Sequence, residues 1–212
     1  MRTLIINGSP NGRNGNTEIL SRQFIEGMRT PPEVRYVCAE NPKELAAYMN
    51  EFDHWLFFLP LYINAMPGIV KRLFEQLRPD PEKCVGYFIQ SGFDEAAQSD
   101  YLIALLKNFN TRMEYRDSGI VVAGGMAGVR YMAEWMNKKL FDRLQRAGML
   151  YEQSGAFDDE SIRLFGQPYR YSKSQLRRNR FLKNTGLANL FWDSTLKKNN
   201  AFDRRFDKPF GV

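Results

Sequence analysis

Along residues 1–148, short apolar runs alternate with segments of helical periodicity. Thr3-Leu4-Ile5-Ile6, closed by Asn7-Gly8, reads as a strand buried on both faces, although so short a run is also compatible with a buried helix. Thr17 to Met28 follows with Ile19, Leu20, Phe24, Ile25 and Met28 at helical spacing, and Pro31-Pro32 stops it. Val34 to Val37 reads as a second strand. Asn41-Pro42 supplies an N-cap and a first-turn proline for a short helix over Leu45 to Met49. Trp55-Leu56-Phe57-Phe58-Leu59 is the strongest strand of the chain. After a loop through Asn64, a helix is predicted from Pro67 to Leu77, ended by Pro79 and Pro81. Val85 to Ile89 is a fourth strand, and Asp100 to Met113 a helix with Leu102, Leu105, Leu106 and Phe109 on one face. Ile120-Val121-Val122 is a fifth strand, followed by a helix over Tyr131 to Arg146.

This alternation suits βαβ units and predicts an α/β domain: a doubly wound parallel sheet covered on both faces. Ligands of such sheets bind beyond the carboxyl ends of the strands, so the loops that follow the strands carry the candidate chemistry. Residues 149–212 leave the pattern, with a possible short helix over Asp158 to Phe165. Phe165, Tyr169, Tyr171, Phe181, Leu187, Leu190, Phe191, Trp192 and Phe202 are scattered through this stretch. A disordered tail has few aromatics. The expectation is therefore a domain over 1–148 and an arm over 149–212 that packs on the domain or on a second subunit.

Charge sharpens that division. The net charge is +6, but residues 1–150 hold 18 basic and 17 acidic side chains, whereas residues 151–212 hold 12 and 7. A basic balance suits nucleic acid, an anionic membrane or an anionic small molecule, and here the question falls on the arm. The longest apolar run, Trp55 to Ile63, has 9 residues and contains Pro60. A spanning helix needs about 20. Only Leu4-Ile5-Ile6 follows the first arginine, too little for a signal segment. The expectation is a cytoplasmic protein without membrane association. Two cysteines, Cys38 and Cys84, and one histidine, His54, exclude a cysteine-rich scaffold and a His-rich metal site, and no metal site is expected. Both thiols are expected to be buried.

Three loops remain. Gly8-Ser9-Pro10-Asn11-Gly12-Arg13-Asn14-Gly15-Asn16-Thr17 joins the first strand to a helix. The N–H groups and partial positive charge of a helix start suit a phosphate, and glycines let it approach. The plainer alternative is a surface turn with Asn16 or Thr17 as N-cap. The spacing Gly8-x-x-x-Gly12-x-x-Gly15 fits neither G-x-x-x-x-G-K-[ST] nor G-x-G-x-x-G, so nucleoside triphosphate chemistry has no support. Pro60-Leu61-Tyr62-Ile63-Asn64-Ala65-Met66-Pro67-Gly68, after the third strand, joins an aromatic, an amide and apolar groups that suit a flat ring, although Tyr62 is equally suited to cap the core. Gln90-Ser91-Gly92-Phe93-Asp94-Glu95-Ala96, after the fourth, offers amides and hydroxyls to a heterocycle edge, or forms a turn.

Taken in order, Ile6-Asn7-Gly8-Ser9-Pro10 with Asn14-Gly15-Asn16-Thr17, Pro60-Leu61-Tyr62 with Met66-Pro67-Gly68, and Gly92-Phe93 with Glu95-Ala96 resemble the NADPH-dependent FMN reductase family of the flavodoxin-like superfamily. The resemblance spans residues 1–148 and implies a flavodoxin-like five-stranded parallel sheet in the order 2-1-3-4-5, followed here by a C-terminal extension. It implies non-covalent FMN, with Ser9, Asn11, Asn14, Asn16 and Thr17 on the phosphate. Pro60, Leu61, Tyr62, Ile63 and Asn64 would line the ribityl chain and ring, and Ser91 and Gly92 the pyrimidine edge. Arg13 is either a neutraliser of phosphate charge or a solvated arginine. Relatives that hold an iron–sulfur centre carry a compact cysteine cluster, whereas Val37-Cys38-Ala39-Glu40-Asn41-Pro42 has one cysteine.

The function so implied is hydride transfer from NADPH or NADH to FMN and then to a flavin, quinone or other small acceptor, in a homodimer. The cofactor carries the chemistry, so no catalytic side chain is named, and His54 is read as structural. A flavodoxin-type electron carrier shares all three loops, but such carriers are usually small and acidic. Arg170, Lys173, Arg177, Arg178, Arg180 and Lys183, interleaved with Tyr169, Tyr171 and Phe181, also hold the ingredients of a nucleic-acid module. The sequence favours a packed arm with a solvated basic face over that reading.

Overall fold

The computed structural model describes residues 2–165, 169–186 and 189–208, with the side chain of Phe191 excepted. Leu187 and the Phe191 side chain, both assigned above to the arm, lie outside the described residues.

Five strands, β1 (Thr3–Asn7), β2 (Glu33–Tyr36), β3 (His54–Pro60), β4 (Cys84–Gln90) and β5 (Arg116–Ala123), form one sheet in the order β2-β1-β3-β4-β5. Every pairing is parallel, as the alternation predicts. The crossovers are α1 (Asn16–Glu26), α2 (Pro42–Met49), α3 (Gly68–Phe74) and α4 (Asp100–Arg112), and α5 (Glu134–Ser154) follows β5. Asn41 caps α2 by accepting a hydrogen bond from the Lys43 N–H at 2.9 Å.

Strand alternation sorts the core into two layers. Leu4, Ile6, Trp55, Phe57, Leu59 and Tyr87 face a cluster that includes Leu45, Val70, Leu73, Leu102 and Leu106. Ile5, Leu56, Phe58, Phe88 and Val121 face Leu20, Phe24, Leu144, Ala147 and Tyr151. Side chains on both faces are buried, so these strands read as continuous apolar runs. The order of the sheet reverses between β1 and β3, so the loops after β1 and β3 flank that switch point and the loop after β4 lies beside the second of them.

Element ends differ from the periodicity for local reasons. The helix expected over Tyr131 to Arg146 spans Glu134–Ser154, because Met126–Tyr131 forms a 3₁₀ turn. Gly155, at φ 73°, ends α5 by donating to the Tyr151 carbonyl at 2.8 Å. Helix α3 stops three residues short of Leu77, its last turn tightening as Gln76 N–H donates to Leu73 O and Leu77 N–H to Phe74 O.

The chain divides into two compact units, residues 1–169 and 170–212. The boundary expected after residue 148 falls inside α5. Tyr151, Phe157 and Phe165 are buried in the second core layer, with Phe165 edge-on to Phe88 at 5.1 Å. Helix α6 (Asp159–Leu164) starts at Asp158, which accepts from Ser161 N–H at 2.7 Å. Tyr169 closes the first unit, donating its hydroxyl to Asp100 at 2.6 Å. The second unit contains α7 (Lys173–Asn184) and α8 (Leu190–Lys198), two helices without a counterpart in the periodicity. Among the described residues, no helix is long and apolar enough to cross a membrane.

Candidate functional site at the switch point

The loop after β1 is organised from below by Asn7. Its buried side chain accepts from the Ser9 N–H at 3.0 Å and donates to the Glu18 carboxylate at 3.2 Å. Ser9 is buried, and its Oγ accepts from the Asn11 N–H at 3.2 Å, which leaves the hydroxyl proton free to be donated. A 3₁₀ turn over Gly12–Asn14 follows, and α1 then opens behind Gly15 with no side-chain cap. A Cβ on Gly15 would sit 3.0 Å from Ser9 Oγ, so the helix start and the serine face each other closely. Helix N-termini present unsatisfied N–H groups and partial positive charge.

Glu18 is a buried carboxylate in the first turn of that helix. It accepts from Arg22 Nε at 2.6 Å and from the Tyr36 hydroxyl at 3.0 Å as well as from Asn7. Burial, then the bond to Glu18, pushes the Tyr36 phenol above its ordinary value, and the same carboxylate raises Arg22. Arg13 lies over the Tyr36 ring at 5.0 Å. Arg22 thus pairs directly with the buried acid of α1, and Arg13 covers the tyrosine that donates to it.

The loops are joined by hydrogen bonds. Gln90, the last residue of β4, donates its side-chain amide to Thr17 Oγ1 at 3.1 Å, and its carbonyl accepts from the Leu61 N–H at 2.8 Å. Leu61 is buried, whereas Tyr62 is about half-exposed and Ile63 is 95 % exposed. Tyr62 and Ala65 exchange backbone bonds at 2.8 and 3.1 Å around Ile63 (φ 48°) and Asn64 (φ 61°). A left-handed β-branched residue is a conformational outlier. Ser91 donates its N–H to Ala123 O at 2.9 Å, and its carbonyl accepts from the Met126 N–H at 2.8 Å. Its Oγ accepts from the Phe93 N–H at 3.0 Å, and Gly92 is exposed.

The structure therefore brings Ser9, Thr17, Leu61 and Ser91 to neighbouring strand ends, with Pro60 at the tip of β3. Asn11 and Asn14 are exposed along the first loop, and Ile63 and Asn64 form the turn beyond β3. The Asn16 side chain is engaged elsewhere: its Nδ2 donates to Met126 O at 2.8 Å and to Ala127 O at 3.3 Å. That leaves its backbone N–H at the helix start and its Oδ1 without a partner among the described residues.

Four participants are absent from the expected site residues: Asn7 and Gln90, which lie within the quoted loops, and Glu18 and the loop after β5 through Met126, which do not. The last carries a signal, Gly124-Gly125 directly after a strand, with Gly125 at φ 73°. Cys38 is a correction. It is exposed rather than buried, and a Cβ on Gly12 would sit 2.8 Å from its sulfur. Strand β2 is at the sheet edge, and in the turn after it Val37 points into the core while Cys38 faces outward. Cys84 is buried. His54 begins β3 at the opposite end of the sheet from these loops. A cavity of about 640 Å³ between α1 and α5, lined by Gln23, Trp135, Lys138 and Phe141 among others, includes none of the three loops.

The sequence matches no protein-family model and no curated protein. The structure, in contrast, matches solved ones. An NADPH-quinone reductase from P. pentosaceus is 18 % identical with a TM-score of 0.53, over 70 % of this chain and 98 % of that one. An NAD(P)H:quinone oxidoreductase from Methanothermobacter marburgensis is 15 % identical with a TM-score of 0.57, over 72 % and 97 %. An FMN-dependent NADH-azoreductase from Bacillus anthracis, solved in complex with FMN, is 13 % identical with a TM-score of 0.54, over 71 % and 99 %. The chain has the flavodoxin-like fold. In a flavodoxin-like sheet of order 2-1-3-4-5 the ligand crevice lies between the first and third strands, and here the β1 and β3 loops flank that position.

Proposed function

We propose that this chain is an FMN-dependent NAD(P)H oxidoreductase that passes electrons to a flavin, quinone or other small acceptor. The observation that carries the reading is the joining of the β1, β3 and β4 loops through Gln90, with its amide on Thr17 and its carbonyl on Leu61. The names of the solved structures that share the fold support it.

The residues present fit the group. The α1 start has a glycine as its cap, so a phosphate can take the capping role. Among the described residues, the buried Asn16 Oδ1, unlike the Nδ2 held by Met126 and Ala127, has no hydrogen-bond partner, and a ribityl hydroxyl would supply one. FMN, when bound, supplies hydride acceptance from the nicotinamide and electron delivery to the acceptor.

The protein's share is binding and orientation. Ser9 and Thr17 each have an accepted bond in place and a hydroxyl proton left for phosphate oxygens, and Asn11 and Asn14 border the same loop. Arg13 and the helix start supply positive charge. Pro60 and Leu61 exclude water from one edge of the ring, and Tyr62, Ile63 and Asn64 form its exposed wall. Gly92 presents its exposed backbone to the pyrimidine edge, and Ser91, its N–H and carbonyl held by Ala123 and Met126, keeps a hydroxyl proton for the same edge. No acid–base side chain is assigned.

Turnover of FMN-loaded protein tests the proposal. Steady oxidation of NADPH or NADH with a soluble quinone is the expected result. Redox cycling that requires a separate partner reductase would assign a flavodoxin-type carrier instead.

A further inference from the structure

The division of the chain after Tyr169 separates its charges. Residues 170–212 hold 11 basic and 3 acidic side chains, a net of +8, whereas residues 1–169 hold 19 and 21, a net of −2. Within the second unit, α7 carries Lys173, Arg177, Arg178, Arg180 and Lys183 and no acid. The sequence offers none nearby, since no carboxylate side chain occurs from Ser161 to Trp192. Among the described residues, none of these five cations is in an ion pair.

Core packing does not explain this helix, because none of its residues is buried. It is held by a complete capping box instead, in which Ser172 accepts from Gln175 N–H and the Gln175 side chain accepts from Ser172 N–H. Gln175, Asn179 and Leu182 are partly covered and share one face by their i, i+4, i+7 spacing. Lys173, Arg177 and Arg180 repeat that spacing on an exposed stripe about 10 Å long. Exposed Leu176 and Phe181 flank the same stripe.

We propose that this face of α7 binds single-stranded nucleic acid, with Lys173, Arg177 and Arg180 on successive phosphates and Phe181 as a stacking platform. Charge complementarity selects a polyanion, since the stripe is an unpaired row of cations. The placement of the apolar groups selects among polyanions. A membrane-surface helix segregates its cations from an apolar face. Here the face opposite the stripe holds Gln175, Asn179 and Leu182, and the exposed aromatic sits beside the cations, as base stacking requires. The inference is independent of the flavin reading.

Fluorescence anisotropy of a labelled twenty-nucleotide oligo-dT with the full chain tests it. Three phosphate contacts on a single strand give a slope of about −2 in log K against log salt, or roughly a fifteen- to twentyfold loss between about 50 and 200 mM. Lys173→Gln with Arg177→Gln and Arg180→Gln is expected to lose at least tenfold in affinity at about 50 mM salt and most of the slope. A matched variant of the first unit, Lys43→Gln with Lys107→Gln and Arg112→Gln, is expected to retain both. Far-UV circular dichroism verifies that each variant keeps its helices, and Arg177→Gln alone should lower the slope by about 0.7. Phe181→Ala is expected to weaken binding about fivefold or more at an unchanged slope. No binding at about 50 mM salt, equal losses in the two triple variants, or tighter binding to phosphatidylserine vesicles than to the oligonucleotide would overturn the proposal.

Discussion

The buried Gln90 side chain donates to the buried Thr17 hydroxyl at 3.1 Å, across the reversal in sheet order, while the Gln90 carbonyl holds Leu61. One residue thereby sets the spacing of a helix start against a loop that follows a different strand. Gln90→Met keeps the volume and removes the donor. A neutral buried hydrogen bond contributes about 1 kcal/mol net to stability, so the melting temperature should fall by about 2–4 °C and FMN affinity should fall with it while the sheet persists. Flavin-fluorescence titration reads the affinity and circular dichroism the fold. Unchanged affinity would show that the link does not position the site.

Gly12 combines two constraints, a φ of 48° and a Cβ position 2.8 Å from Cys38 Sγ. Left-handed backbone costs a residue with a Cβ about 1–2 kcal/mol. Gly12→Ala should therefore lower both melting temperature and FMN affinity. Adding Cys38→Ala should recover only part of the loss, because the sulfur contact is relieved and the backbone cost stays. Full recovery would mean that the contact alone matters.

Ile63 is left-handed, β-branched and 95 % exposed, so nothing in its packing offsets its backbone strain. Ile63→Gly should raise stability by about 1 kcal/mol, or about 2–4 °C in melting temperature. If the turn walls the flavin, the same change should weaken FMN binding. A stabilised protein with unaltered FMN affinity would remove Ile63 from the site.

Burial, then the nearby Arg116 guanidinium, lowers the His54 imidazole from its ordinary 6.5, while Asp53 and a backbone bond involving Gly155 act in the opposite sense. The folded state then binds fewer protons than the unfolded chain. Stability is full above about pH 6.5 and declines as pH falls through that value toward the lower folded one. Melting temperatures at about pH 7.5 and 5.5 should differ by less in His54→Gln than in the parent. Equal differences would assign the acid sensitivity to other groups.

Much of the fold was legible because its strands are buried on both faces. Trp55 to Leu59 can be little else than a central strand, and Asn41-Pro42 states where α2 begins. The right-hand limit of the domain was not legible. Phe157 and Phe165 look like scattered aromatics in sequence, and only the second core layer shows that they complete it. Helix α7 has no apolar period to find, since it buries nothing. At the site, glycines, hydroxyls and amides after strands were visible as a class. Their connections were not, because Gln90 to Thr17 spans 73 residues and depends on strand order. Asn16 shows the limit within one motif: its position at the helix start was readable, but its side-chain bond to Met126 was not.

The flavin content of the purified protein tests the central claim most directly. Protein reconstituted with FMN and freed of excess should be yellow, with flavin absorbance in the visible, and should release FMN in near-equimolar amount on denaturation. Protein that remains colourless after reconstitution, with no FMN released, would contradict the account.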